Sequence, residues 1–397
     1  MRRLAALLTI VPAAVLALYS ARAAGGAIPV APPVAETLHV NPERGDDDAD
    51  GSARHPLRSI SAALALLPDP LERTVTIQLA AGEYETTGGH GMPERSLHLM
   101  ARMPPDVSVR IVGPKDGQPA IFAWHGDRRM VEVRAGEWRL ANVQIGTFRT
   151  DQRRGVTVAG PGHVILQDVT FRLRSNSDAG IWARDGGRAS LRGAIRLNDH
   201  LHDEAPDESF CGLLATDHGV IEFDERSGSS LSLGNGNVAV RYYGSIRFGC
   251  DEVRISSWTK SNNLSIHSGG RIDMHGSRTY LHAHLRQNTP LGLEHDGHLL
   301  AEDAHLTFAG SNEAAIVLQK SSTFTCNDIE LTGEFDYGIR AMSGSMFVGR
   351  FLGDVPDLEA RTGASIHIEE LRGKEVGELT VESGGLITLP GRTLRSD

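Results

Sequence analysis

A small residue, usually glycine, recurs along the chain just ahead of an alternating apolar pair, at a period of roughly 25 residues that lies in the solenoid range. It stands in Ala135-Gly136-Glu137-Trp138-Arg139-Leu140, Gly162-His163-Val164-Ile165-Leu166 and Gly186-Gly187-Arg188-Ala189-Ser190-Leu191. It returns through Gly219, Gly244, Gly270 and Gly297, weakens at Ser321-Ser322, and resumes at Gly344, Gly363 and Gly384. Between these marks each period holds about three short alternations, as in Leu264/Ile266, Ile272/Met274 and Leu281/Ala283/Leu285. Alternation with period two means a strand with one buried face. Three such strands per period, joined by turns and repeated along the chain, make one triangular coil. Stacked coils then pair each strand with its equivalents above and below. The repeat is too short for a propeller blade and lacks the leucine-rich pattern. The expected fold is therefore all-β, a right-handed parallel β-helix.

Composition agrees: aromatics are only 5% of the 397 residues while glycine numbers 44. Asn176, Asn237, Asn262, Asn288 and Asn312 each fall shortly before an apolar strand. They are expected to stack at one corner, where asparagine suits left-handed turns and bonds neighbouring backbone.

The N-terminal region divides by composition. Residues 1–23 carry Arg2-Arg3, an apolar stretch Leu4–Tyr19 and the small-x-small site Ala21-Arg22-Ala23, the pattern of a signal peptide cleaved before Ala24. That pattern places the mature protein in the periplasm or outside the cell. Pro12 and the short apolar length argue against a permanent span. Residues 24–36 read as an Ala/Pro/Gly linker. Residues 37–73 read as a capping module, with a strand at Thr37–Val40, an acidic loop through Asp46–Asp50, and a short helix over Ser59–Leu67. Ser59 is its N-cap and Pro68 its stop. Residues 74–397 form the β-helix.

The formal charge of −10 becomes −13 once the three arginines of residues 1–23 are removed. Such a surface repels phosphate backbones, which argues against nucleic acid as a partner. It argues more weakly against an anionic polysaccharide, which a local arginine patch could still bind. Export permits disulfides, but Cys211, Cys250 and Cys326 are an odd set. Cys250 and Cys326 fall three coils apart, roughly 14 Å at ~4.8 Å per coil, beyond the ~7 Å Cα reach of a disulfide. Cys211 could find a partner only through its loop; buried free thiols are the simpler reading.

The opening module carries a resemblance. Leu38-His39-Val40-Asn41, Gly45-Asp46-Asp47-Asp48-Ala49-Asp50-Gly51, Pro56-Leu57-Arg58-Ser59-Ile60 and Ala81-Gly82-Glu83-Tyr84 together resemble the start of pectin-lyase-like right-handed β-helix proteins. The match runs from Leu38 to Tyr84, and the repeats extend it. It implies the fold but no one activity, since the superfamily includes lyases, esterases, hydrolases and non-catalytic surface proteins. Gly82-Glu83-Tyr84-Glu85 is similar to a pectin methylesterase fragment, and Gly89-His90-Gly91 to a polygalacturonase fragment. The catalytic partners of both are missing.

Three places could carry chemistry. Asp46–Asp50 offers oxygens for Ca²⁺, or forms a capping turn. The step from Gly187 to Gly219 is longer than its neighbours, and its excess holds His200, His202, Asp203 and Glu204, either a divalent-metal set or a solvated acidic loop. The third is Tyr280-Leu281-His282-Ala283-His284-Leu285-Arg286. Here Leu281, Ala283 and Leu285 face inward, so Tyr280, His282, His284 and Arg286 face outward in a row. An offset of one coil, matching Arg254 to Tyr280, brings Arg254, Ser256, Trp258 and Lys260 beside them. Aromatic faces stack on sugar rings, and cations bind uronate carboxylates. The row is read as a polysaccharide site: Tyr280, His282, His284 and Arg286 as candidate catalytic groups, Arg254, Trp258 and Lys260 as substrate contacts. Two functions fit, a non-catalytic exported scaffold binding glycan or envelope, and a polysaccharide lyase or glycoside hydrolase.

Overall fold

The computed structural model describes residues 36–85, 97–123, 129–146, 154–173, 179–198, 211–223, 228–257, 262–284, 289–373 and 375–396. Over these residues the chain is a parallel β-helix. Three sheets run along it, and each strand pairs in parallel with the equivalent strand one coil away. The first sheet passes through Val75–Leu79, Ser108–Val112, Gly162–Gln167, Arg188–Arg192, Val220–Phe223, Ser245–Phe248 and Arg271–Met274. The second includes Ala194–Leu197, Ser230–Leu233, Glu252–Ser257 and Arg278–Ala283. The third includes Arg154–Ala159, Ala179–Arg184, Cys211–Ala215, Asn237–Val240, Leu264–His267 and Leu291–Glu294. At the far end, Leu386–Leu389 pairs antiparallel with Arg392–Arg395.

Register follows from burial. One inward row runs Ile77, Ile111, Leu140, Leu166, Leu191, Phe223, Phe248 and Met274, all at most 1% exposed. A one-residue slip of any strand would turn its apolar set to solvent. Aromatic rings stack within the core: Phe223 and Phe248 lie 5.5 Å apart, and Phe324 and Phe347 5.3 Å.

The recurrent small residue ends a four-residue turn. In Arg184-Asp185-Gly186-Gly187 the middle residues have φ of 53° and 80°, and Gly187 N donates to Arg184 O at 2.9 Å. This is a type I′ turn. The same pair of positive φ values recurs at Asp217/His218, Tyr242/Tyr243, Ser268/Gly269, His295/Asp296, Lys320/Ser321, Ser343/Gly344, Thr362/Gly363 and Ser383/Gly384. The turns are stitched together: Gly186 N donates to Asp217 O, His218 N to Tyr242 O, and Tyr243 N to Ser268 O, at 3.1 to 3.4 Å.

In most coils the final residue is glycine because of close approach rather than φ, although Ala364 holds the same place after Thr362-Gly363. A β-carbon at Gly187 would stand 2.5 Å from Val158 O, and one at Gly297 2.6 Å from Ile266 O. Where serine replaces glycine, its hydroxyl bonds the equivalent carbonyl: Ser322 Oγ donates to Leu293 O, and Ser345 Oγ lies within bonding distance of Leu318 O.

The asparagine corner is built only in part on the positions the sequence suggests: Asn312 is buried there, but one coil uses a neighbouring residue. Asn263, not Asn262, is fully buried, and its Nδ2 donates to Ile255 O at 3.1 Å and His282 O at 3.0 Å. Asn198 likewise clasps Leu173, accepting from its N and donating to its O. These bonds run from side chain to main chain. Asn176 and Asn288 lie outside the described residues.

The helix spans Ile60–Ala65, with Ser59 as N-cap accepting from Ala62 N. Asp47 holds this cap: its carboxylate accepts from Arg58 N, Ser59 N and Ser59 Oγ at 2.8 to 2.9 Å. Asp46 accepts from Asp48 N, and Asp50 from Ser52 N. The acidic loop is thus a hydrogen-bonded turn that seats the helix. Tyr84, from Gly82-Glu83-Tyr84, is buried, its hydroxyl 2.9 Å from Ala80 O and 3.0 Å from Val40 O. Asp47→Ala is expected to cost about 2 kcal/mol, at the upper end for a lost cap. Urea unfolding of the two proteins, followed by circular dichroism, measures it.

All three cysteines are free. Cys250 and Cys326 are buried, as expected, and burial pushes the Cys250 thiol up to about 12. No helix among the described residues is long and apolar enough to cross a membrane.

Candidate functional site

The second sheet presents the candidate row. Glu252–Ser257 pairs in parallel with Arg278–Ala283, matching Arg254 to Tyr280 and Ser256 to His282. The one-coil offset read from the sequence therefore holds. Val253, Ile255, Leu281 and Ala283 are buried, while Tyr280 and His282 are exposed. The pattern continues into the neighbouring coils, where Ser232 stands beside Arg254 and Thr307 beside Tyr280.

These residues line a groove of about 690 Å³. Its floor carries Ser232, Arg254, Ser256, Tyr280, His282 and Thr307, with Ala309 and Thr332 toward one end. Five coils contribute, giving a trough of four inter-strand steps, roughly 19 Å, along the helix axis. Among the described lining residues there is no carboxylate.

Arg254 is oriented from two sides. Its Nε donates to Glu252 Oε1 at 2.8 Å, and its guanidinium carbon lies 5.4 Å from the Tyr280 ring centroid. Held this way, Arg254 presents a fork of hydrogen-bond donors over the trough. The imidazoles of His282 and His284 lie 3.8 Å apart, centroid to centroid, and His284 Nε2 meets Ser256 Oγ at 2.8 Å. Beneath them Asn263 ties the His282 and Ile255 carbonyls, fixing adjacent coils where the imidazoles emerge.

The structure thus brings together Arg254, Tyr280, His282 and His284. Trp258, Lys260 and Arg286, and the metal candidates His200, His202, Asp203 and Glu204, lie outside the described residues. Among the described residues no group of three or more His, Cys, Asp or Glu is placed to hold a metal ion. Ser232, Thr307 and Asn263 were missed in the sequence. The first two are not reached by repeating the 26-residue offset, which gives Gly228 and Leu306, because the flanking coils are 22 and 27 residues long. Asn263 is not reached either, because its partners are main-chain carbonyls.

No protein-family profile and no curated protein sequence matches the chain. Among solved structures it is similar to the GH136 lacto-N-biosidase of Eubacterium ramulus. The selenomethionine form aligns at 13% identity and TM-score 0.42, over 87% of this chain and 67% of that one. The native form aligns at 12% identity and TM-score 0.37, over 87% and 68%. The chemistry of the groove rests on its own residues.

Proposed function

We propose that this is an exported β-helix whose second-sheet groove binds an acidic polysaccharide or envelope glycan without cleaving it. One observation carries the reading. An aromatic ring, a guanidinium, an imidazole and several hydroxyls line a single trough without a carboxylate among its described residues. Tyr280 offers a ring face for sugar stacking, Arg254 a forked donor for a carboxylate or sulfate, and Ser232, Ser256 and Thr307 bond hydroxyls. The signal pattern of residues 1–23 supports export.

A second reading, a polysaccharide lyase, is favoured by the exposed Tyr280 and His282 beside Arg254. The cation would neutralise a uronate carboxylate while a neighbouring group takes the α-proton. Hydrolysis by paired carboxylates needs two acids across the bond, and the described groove lining has none.

The test is titration of the mature chain with a panel of neutral, uronate and sulfated polysaccharides, with absorbance followed for unsaturated uronate. The expected result is binding of acidic polymers that weakens with salt, without absorbance change. Arg254→Ala combined with His282→Ala is expected to weaken it at least about tenfold, since charge-assisted hydrogen bonds are worth roughly 1.5–3 kcal/mol each. Unchanged affinity in the double variant removes the groove from the assignment. Rising absorbance selects the lyase.

A further inference from the structure

Away from the groove, the outward face of the third sheet carries a serine, an imidazole and a carboxylate in series. Ser265 and His267 are two apart on Leu264–His267, so they share a face. Ser265 Oγ is in hydrogen-bond contact with His267 Nε2. The other ring nitrogen, Nδ1, lies 3.7 Å from Glu294 Oε2, and Glu294 is the register partner of His267 on the next coil.

Two other Ser–His contacts are arranged differently. Ser190 meets His163 at 2.9 Å, but its hydroxyl donates to Glu222 Oε1, which competes for the proton a base must take. Ser256 meets His284, and the ring beside His284 is another imidazole. At Ser265 the serine faces the imidazole and the carboxylate stands behind it. That is the order in which a base is oriented toward a nucleophile.

The surroundings fit. In the outward row Ser265 lies between Ala239 and Gly292, the smallest residues available, where other coils put Trp182, Leu214 and Val317. Asn262 packs its amide over Gly292, so closely that a β-carbon there would overlap Nδ2. This sets a donor amide over the Ser265 neighbour. Just past His267 the chain turns at Ser268-Gly269, and the Tyr243 ring rests over Gly269. Tyr243 is 68% exposed and Tyr242 56%, and both sit at positive φ, an uncommon state for aromatic residues. Burial depresses the His267 basicity, helped by Arg241, His295 and Lys320 and opposed by Glu294, which favours the neutral ring that a base requires.

We propose that Ser265, His267 and Glu294 form a nucleophilic hydrolase site for a carboxylic ester with a small acyl group. Ser265 Oγ attacks the ester carbonyl carbon as its proton passes to His267 Nε2. Asn262 Nδ2 donates to the carbonyl oxygen. The ester C–O bond then breaks, His267 returns the proton to the leaving alcohol, and the acyl group stays on Ser265. Water, deprotonated by His267, attacks that acyl group; the acid leaves and Ser265 regains its proton. The acyl group sits against Ala239 beside the Asn262 amide, and the exposed tyrosines receive the alcohol part.

The experiment exposes the full chain to a fluorophosphonate probe, maps the labelled residue by mass spectrometry, and measures p-nitrophenyl acetate hydrolysis. Neither readout involves a polysaccharide, so the outcome is independent of the groove. Label on Ser265 is expected. Ser265→Ala is expected to abolish label and reduce hydrolysis to background, and His267→Ala to slow it at least about 100-fold. Glu294→Gln is expected to slow it less while leaving the protein foldable. No label on the folded wild-type chain, or label mapped to Ser190, Ser256 or elsewhere, overturns the proposal. Because that mapping uses wild-type protein, a variant that fails to fold does not rescue it.

Discussion

Gly219→Ala should destabilise the protein by about 3 kcal/mol, the upper range for overpacking a site that cannot relax. Gly219 closes a turn, and a β-carbon there would overlap Ala183 O, more tightly than at Gly187 or Gly297. The usual escape is a small backbone shift, and here both directions are blocked. Val220 N donates to Gly187 O at 2.9 Å on one side, and Ser245 N to Gly219 O at 3.0 Å on the other. A shift that relieves the contact therefore breaks the ladder. Two controls separate this cause from a generic glycine effect. Gly186→Ala, at φ 80° with open space around it, should cost only about 1–2 kcal/mol, the left-handed penalty. Gly219→Ser should cost less than Gly219→Ala, because Ser322 and Ser345 show a serine hydroxyl engaging the equivalent carbonyl. Guanidinium unfolding of the three variants ranks them. Equal stability of Gly219→Ala and wild type would show that the stack yields, and that the recurrent glycine serves the chain another way.

The same position shows how far the sequence could be read. The recurrence of glycine ahead of each strand located the coils, because a fold that stacks its backbone repeats its constraints at each period. The physical reason was hidden, since one glycine can mean positive φ or missing space, and only the neighbouring coil distinguishes them. The Arg254–Tyr280 register was legible because those two coils keep a constant offset and alternate without interruption. At one coil the asparagine corner was misplaced by one residue, Asn262 for Asn263, and with period two one residue exchanges inside for outside. The Tyr242-Tyr243 turn could not be seen, because bulky aromatic residues argue against the left-handed conformation both adopt. Ser265-Ile266-His267 reads as an ordinary outward pair until stacking brings Glu294 beside it from the next coil. Of the candidate groove, Arg254, Tyr280, His282 and His284 meet as the alternation implied.

Phe347→Ala should cost about 3–5 kcal/mol, the range for deleting a buried aromatic ring, and the loss should be local. Phe347 is fully buried, with Phe324 5.3 Å away on the preceding coil and Phe351 5.9 Å away. Its register partner on the following coil is Ile366. The ring also fills the space over Gly349, where a β-carbon would stand 2.8 Å from its Cζ. The surrounding backbone is held by parallel ladders on both sides, so the void collapses poorly. In a compact domain such a loss is shared by every residue. In a solenoid each coil contacts only its neighbours, and stability is a sum of nearest-neighbour terms. The coils beyond Phe347 are few and end in the hairpin Leu386–Leu389/Arg392–Arg395, so they can open together without breaking the rest. Hydrogen exchange should then show protection lost from Met346–Phe351 through Arg395, with little change before His298. Loss spread evenly back to Val75 would mean that the whole helix melts as one unit, and would refute the nearest-neighbour picture.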